Sequence, residues 1–386
     1  MRNEFALLIG ALGVSVADKP LKMPNELDWQ LFLKLCRIHA VAPLVYDGLR
    51  KGDVIQAVPE DINKELLNDY HTAIFRDSQF DYTKAQLSQK LAKAQIPHIF
   101  LKGSCLKYDY PEPALRTMCD LDILVHTEDY PAIEKIALEM GGKPGHSDGN
   151  HRNYSFPGTV EVEFHPNLLH HDTPVGTGIN PGWQYAKKDM PTSAGELTPE
   201  GFYLNTICHI ANHFVMGGVG VRFVLDVWVN RYLTKNKPDR AIVEEELQKF
   251  ELLTFARNME ALADVWFGSG EMTPLLEELG AYILSSGLHG REERAMLNAV
   301  SLSPGGTGRS ALLKKAFHSR REMEDRFPWC KGKPWLLPAA WCVRAFKAVI
   351  NHGDLIIKWG KGANSFSQDE IQLQKEKLRR FGIQDK

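Results

Sequence analysis

Apolar positions divide the chain into a helical start, an alternating middle and a long helical end. Phe5 to Ala17 is mostly apolar. Leu27, Leu31, Leu35 and Ile38 recur at helical spacing behind Asn25, a residue able to cap a helix. Further helices are predicted over 42–49 and over 61–94, the latter with Leu66, Tyr70, Ile74 and Leu87 among its apolar positions. Pro97 breaks that pattern. The period then shortens. Ile99-Phe100-Leu101 and Leu121 to Val125 are short apolar runs, and Tyr130 to Met140 reads as a helix stopped by Gly141-Gly142. Tyr154 to Phe156 and Thr159 to Phe164 form a hairpin around Pro157-Gly158.

This order of strand, helix, strand, helix and hairpin predicts a small mixed core over 96–172. A helical segment, 1–95, precedes it. A Gly-, Pro- and Thr-rich linker, 173–200, follows, and then a helical domain, 201–386. In that domain helices are expected over 200–215, 220–234, 240–250, 253–268, 273–285, 290–301, 309–325, 335–350 and 368–381. The last has a capping box, Ser367 with Glu370, and Gly382 beyond its end. The fold class is α+β.

Apolar residues at 44% and charged residues at 24% are ordinary for a globular protein. The net charge of −2 argues against coating of nucleic acid by the whole molecule, so nucleic acid is not the favoured partner. The six cysteines form no C-x-x-C pair, which suits free thiols in a reducing compartment. Ser15-Val16-Ala17 resembles a cleavage site, but Glu4, Gly10 and Gly13 interrupt the run, so a first helix packed on the protein is expected. No stretch reaches the ~20 apolar residues of a membrane span. The expected location is cytoplasmic.

The informative string is Asp120-Leu121-Asp122-Ile123-Leu124-Val125. Alternation places Asp120 and Asp122 on one face of a strand, where their repulsion and desolvation call for a cation. Val160 to His165 alternates likewise and puts Glu161, Glu163 and His165 on one face. If the strands are neighbours, hard oxygen ligands converge in a way that suits Mg²⁺ or Mn²⁺ in a two-metal site for in-line phosphoryl transfer. Upstream, Lys102-Gly103-Ser104 ends a strand and opens a short helix, an arrangement able to cradle phosphate. Lys102 and Arg116 offer positive charge, Arg116 with a bidentate fork.

Phe100-Leu101-Lys102-Gly103, Tyr110-Pro111, Arg116, the Asp120–Val125 string and Val162-Glu163-Phe164-His165 together resemble the bacterial "uncharacterised nucleotidyltransferase" family of the polymerase-β-like nucleotidyltransferase superfamily. His39 to Leu44 and the His209…His213…Arg222…Leu225-Asp226 stretch also look like that family. The resemblance implies a minimal nucleotidyltransferase core with a mixed sheet. It implies catalytic and metal-holding roles for Asp120, Asp122 and Glu163, and NTP binding by Lys102, Gly103, Ser104 and Arg116. Fifteen residues, Cys105 to Cys119, separate Gly-Ser from the acids, more than the superfamily pattern holds.

The resulting expectation is a metal-dependent enzyme moving a nucleotidyl group from an NTP to an anionic small-molecule or peptide acceptor. Two alternatives stand beside it: transfer of another phosphate-linked group, such as a glycosyl group, to a phosphorylated acceptor, or non-catalytic nucleotide binding. His165 orients Glu163, contacts substrate or is structural. His209 and His213, four residues apart on a helix, line the cleft or pack internally. Arg222 and Asp226 share that spacing and suggest an ion pair. His165, His170, His171 and Asp172 lack regular zinc-ligand spacing. Ser303 to Ser310 superficially resembles a phosphate loop, but its spacing is that of a flexible linker. Arg309 to Lys361 holds twelve Lys/Arg against four Asp/Glu, with tryptophans interleaved, and offers Arg320 and Arg321 as contacts for an anionic acceptor.

Overall fold

The computed structural model describes residues 2–145, 151–167, 182–188, 193–288 and 290–383. Four helices come first: α1 (Asn3–Ala17), α2 (Trp29–Ile38), α3 (Ala42–Lys51) and α4 (Glu60–Lys93). The middle runs β1 (His98–Phe100), α5 (Gly103–Leu106), β2 (Asp120–Leu124), α6 (Tyr130–Glu139), β3 (Lys143–Pro144), β4 (Arg152–Phe156), β5 (Val160–His165) and β6 (Ala194–Gly195). Helices then return as α7 (Pro199–Val215), α8 (Val221–Trp228), α9 (Arg240–Lys249), α10 (Leu253–Phe267), α11 (Pro274–Leu284) and α12 (Glu292–Ser301). The last four are α13 (Gly308–Ala316), α14 (Arg320–Arg326), α15 (Leu337–Ala363) and α16 (Gln368–Phe381). The protein is α+β, with a mixed sheet and a helical C-terminal region.

The sheet order is β3-β4-β5-β2-β1-β6. β2 and β5 are parallel neighbours, paired Asp120 with Glu161, Asp122 with Glu163 and Leu124 with His165. Alternation sorts the side chains. Leu121, Ile123, Val162 and Phe164 are buried in one cluster with Phe80, Leu87 and Leu91 of α4 and Ile133 of α6. The acidic residues stand on the opposite face. At 34 residues, α4 is about 50 Å long. Its first half contributes Ile62 and Leu66 to a different core. That larger core joins Leu7, Leu8 and Leu12 of α1 and Phe32 of α2 to Phe214 of α7, Val224 of α8 and Phe255 of α10. The helices before and after the sheet are therefore one body.

Four expectations are corrected. The N-cap of α2 is Asp28, not Asn25: its Oδ1 accepts from the Leu31 N–H at 2.9 Å, while its own N–H donates to Glu4 of α1. Leu27 thus precedes the helix, and Ile38 is 42% exposed. The stretch expected as a linker supplies β6, parallel to β1, and Leu197, buried with Ile99, Leu101 and Leu124. The helix expected over 309–325 is two, because the Ser319 hydroxyl accepts from the Glu322 N–H and starts α14 afresh. Beyond it, α15 continues to Ala363. Finally, the Ser303–Ser310 segment is no loose linker. Thr307 and Ser310 form a capping box that opens α13, and Ser303 is buried. His170, His171 and Asp172 lie outside the described residues.

Candidate active site

The chain turns sharply where β1 ends. Lys102 adopts φ 49°, a left-handed conformation costly for a side chain with a Cβ. The turn aims its ammonium back at β2, where Nζ meets Asp122 Oδ1 at 2.6 Å. Burial opposes the Lys102 charge, but Asp122, Asp120 and Glu163 outweigh it and hold its pKa above the ordinary lysine value. Gly103 follows; a Cβ there would lie 2.1 Å from Arg116 Nη1, so a larger residue would have to displace the guanidinium. Ser104 closes the turn, donating from Oγ to the Leu101 carbonyl at 2.9 Å, while Lys84 donates to the Ser104 carbonyl.

The strand register brings the acids together. Asp120, Asp122 and Glu163 share one sheet face. His165 Nε2 lies 2.8 Å from Asp122 Oδ1 and 3.3 Å from Glu163 Oε2. Asn153, opposite Glu163 on β4, donates to Glu163 Oε1 at 3.3 Å. Burial would raise the Asp122 pKa, but Lys102 and His165 win and hold it far below the usual carboxylate range. The hydrogen bond from His165 also lowers Glu163. Burial would keep His165 neutral, yet its bonds to Asp122 and Glu163 raise its pKa above the ordinary value. Asp120 is the outlier. Burial, and next the charge of Asp122, push it up to about 6 against the pull of Lys102. Four ionisable groups with displaced protonation, gathered on one sheet face, mark a candidate functional site.

A cleft of ≈ 110 Å³, open to solvent, lies over this face. Lys102, Gly103, Asp120 and Asp122 form one wall; His209, His213, Arg222 and Phe223, from α7 and α8, form the other. The His209 and His213 rings are 4.4 Å apart, and His213 stacks on Phe223 at 5.7 Å. Burial, and after it the charges of Lys102 and His213, push the His209 pKa well below the ordinary value, so His209 is neutral. Among the cleft-lining residues none comes from Arg309–Lys361. Arg320 is on α14, paired with Glu324 at 2.6 Å, and Arg321 is beside it.

Arg116 is at the cleft, but its fork is already engaged. Nε and Nη2 donate to Asp226 Oδ1 and Oδ2 at 3.1 and 2.7 Å, and Tyr110 donates to the same carboxylate. Asp226 is therefore the partner of Arg116. Arg222, expected to pair with it, donates instead to the Thr117 carbonyl at 2.9 Å. Thr206, Met118, Phe223 and Asn153 had no signal in the sequence as site residues. Asn153 alone was within reach, through the register of the predicted hairpin opposite Glu163.

The residues suit a divalent cation. One ligand atom from each of Asp122, Glu163 and His165 falls within 4.8 Å of the others, and Asp120 adds an oxygen donor on the same face. Acids on two adjacent parallel strands of a mixed sheet thus stand beside a Lys-Gly-Ser turn. The chain belongs to the uncharacterised nucleotidyltransferase family, whose model matches residues 25–268. No curated protein and no solved structure matches it. The match takes in α2 to α10, so helices on both sides of the sheet are part of the family unit. Membership implies a nucleotide substrate. Among the described residues no helix is long and apolar enough to cross a membrane.

Proposed function

We propose that the protein transfers a nucleotidyl group from an NTP to an acceptor held in the cleft, with Mg²⁺ or Mn²⁺ as cofactor. The observation that carries this reading is the register of β2 and β5, which sets Asp122 beside Glu163 with Asp120 on the same face. Asp120 and Asp122 would hold the cations, and Glu163 would share the one nearer the acceptor. Such cations, when bound, counter the charge of the phosphates and steady the entering and leaving oxygens. The chain's own residues do the rest. The turn at Lys102 to Ser104 offers backbone N–H groups and an ammonium to the phosphates. Arg116, held by Asp226, lies against Gly103. The acceptor oxygen attacks the α-phosphorus, the bond to the β-phosphate oxygen breaks, and pyrophosphate leaves. Attack is eased when the acceptor proton passes to a carboxylate, and Glu163, beside the cation nearer the acceptor, would help to activate it.

We place the acceptor against His209 and His213, because these residues face the acids across the cleft. An anionic acceptor fits Arg222 on the same wall. Calorimetric titration with ATP, GTP, CTP and UTP, each with and without Mg²⁺, tests the nucleotide half of the proposal. Binding of at least one NTP that requires Mg²⁺ is the expected result. Absence of metal-dependent binding for all four contradicts it. Binding without pyrophosphate release, whatever acceptor is supplied, would replace catalysis with nucleotide sensing.

A further inference from the structure

The helices beyond the family match carry a surface that the core reaction does not use. On α15, Ala339, Val343, Phe346 and Ile350 recur at helical spacing and all face solvent. Phe346 is 69% exposed and Ile350 64%. Trp335, in the turn leading into the helix, is 73% exposed. Val343, Phe346 and Ile350 line one shallow apolar groove with Lys347. Exposed lysines accompany this stripe: Lys347 in the groove itself, and Lys331 and Lys333 just ahead of the helix in the chain. The helix's other side is anchored: Ala340 is buried with Met323, Phe327 and Cys330, and Trp341 donates to the His318 carbonyl. The stripe is thus held outward by a small core of its own.

We propose that this face docks in the plane of an anionic lipid surface, with Trp335, Phe346 and Ile350 entering the headgroup boundary and the lysines meeting lipid phosphates. An apolar face rimmed by Lys on an in-plane helix is the pattern such binding needs. Charge complementarity supports it: Arg309 to Lys361 carries an excess of eight positive charges in a chain whose total is −2. Two other occupants fit less well. A second copy would bring a basic face against a basic face. A nucleic acid would satisfy the lysines and stack on the aromatic rings, but leaves Val343 and Ile350 without a role. Since among the described residues no helix can cross a membrane, the contact lies on the surface.

The test is co-sedimentation of the full chain with vesicles of phosphatidylcholine alone and of phosphatidylcholine with about 30 mol% phosphatidylglycerol, at low and moderate salt. The wild type is expected to bind the anionic vesicles about tenfold or more better than the neutral ones, and less at higher salt. The double variant Phe346→Asp/Ile350→Asp removes exposed side chains only. It should keep the wild-type melting temperature and lose vesicle binding. Lys331→Glu/Lys333→Glu should lose the preference for anionic lipid. Equal binding to both vesicles, or undiminished binding by the Asp variant, overturns the proposal. So does a wild-type dimer that these substitutions disperse in the absence of any vesicle binding, or binding confined to single-stranded RNA.

Discussion

At the scale of single residues the acidic face was readable because strand alternation is a local rule. Asp120 and Asp122 are two apart, as are Glu163 and His165, so each pair shares a face without knowledge of the fold. Arg116 was not readable in the same way. Its charge and fork suggest phosphate, but Asp226, 110 positions away, takes the fork. Gly103 carries a second constraint that no local pattern reveals: the Arg116 guanidinium passes over it. Gly103→Ala should therefore displace a doubly bonded Arg116 and cost about 1–3 kcal/mol, the usual penalty of overfilling a packed site. Denaturant unfolding measures it. An unchanged stability would show that Arg116 moves aside freely.

At the scale of elements the legible parts were those with strong period and local caps. The capping box of Ser367 and Glu370 and the αL glycine Gly382 stand as expected around α16. Two-residue β6 was hidden, since its existence depends on pairing with β1 and not on any pattern within a Gly- and Pro-rich stretch. The break between α13 and α14 is masked in the sequence, because Ser319 as a cap competes with a helical pattern that otherwise continues. The tie between α8 and the loop before β2 runs through buried Asp226, Arg116 and Tyr110. Breaking a buried pair by neutralising one partner leaves an uncompensated charge, so Asp226→Asn should destabilise by about 3–5 kcal/mol. Replacing both groups, Asp226→Leu with Arg116→Met, should recover a large part of that loss in the same unfolding experiment. A double variant no more stable than the single one would mean the tie acts by something other than charge.

At the scale of the whole molecule the sequence showed helices at both ends but not that they share a core. That union rests on packing such as that of α1 against α10, and on Lys19 donating to the Gly268 carbonyl 249 positions away, for which no local signal exists. His39 marks the seam. It is fully buried at the end of α2, and its Nδ1 accepts from the N–H of Val221, the first residue of α8. Burial lowers its pKa from 6.5 to about 4. Because the folded pKa lies below the unfolded one, this stability is present above pH 6.5 and is lost as pH falls toward 4, by about 3 kcal/mol in all. His39→Gln should flatten the decline between those values. An equal slope in the variant would assign the decline to other groups.

A role for Asp122 in metal-dependent nucleotidyl transfer is tested by pyrophosphate release from Mg-NTP by the wild type and by Asp122→Asn. The substitution keeps shape and removes charge. Asp122 is buried against Lys102 and His165, so a companion melting curve should show the variant still folded. Mg²⁺-dependent release by the wild type and a loss of more than about 100-fold in the folded variant are expected, beyond the 10–100-fold typical of groups that only support a ligand. Release that persists in the variant, or that is indifferent to Mg²⁺ in the wild type, would contradict it.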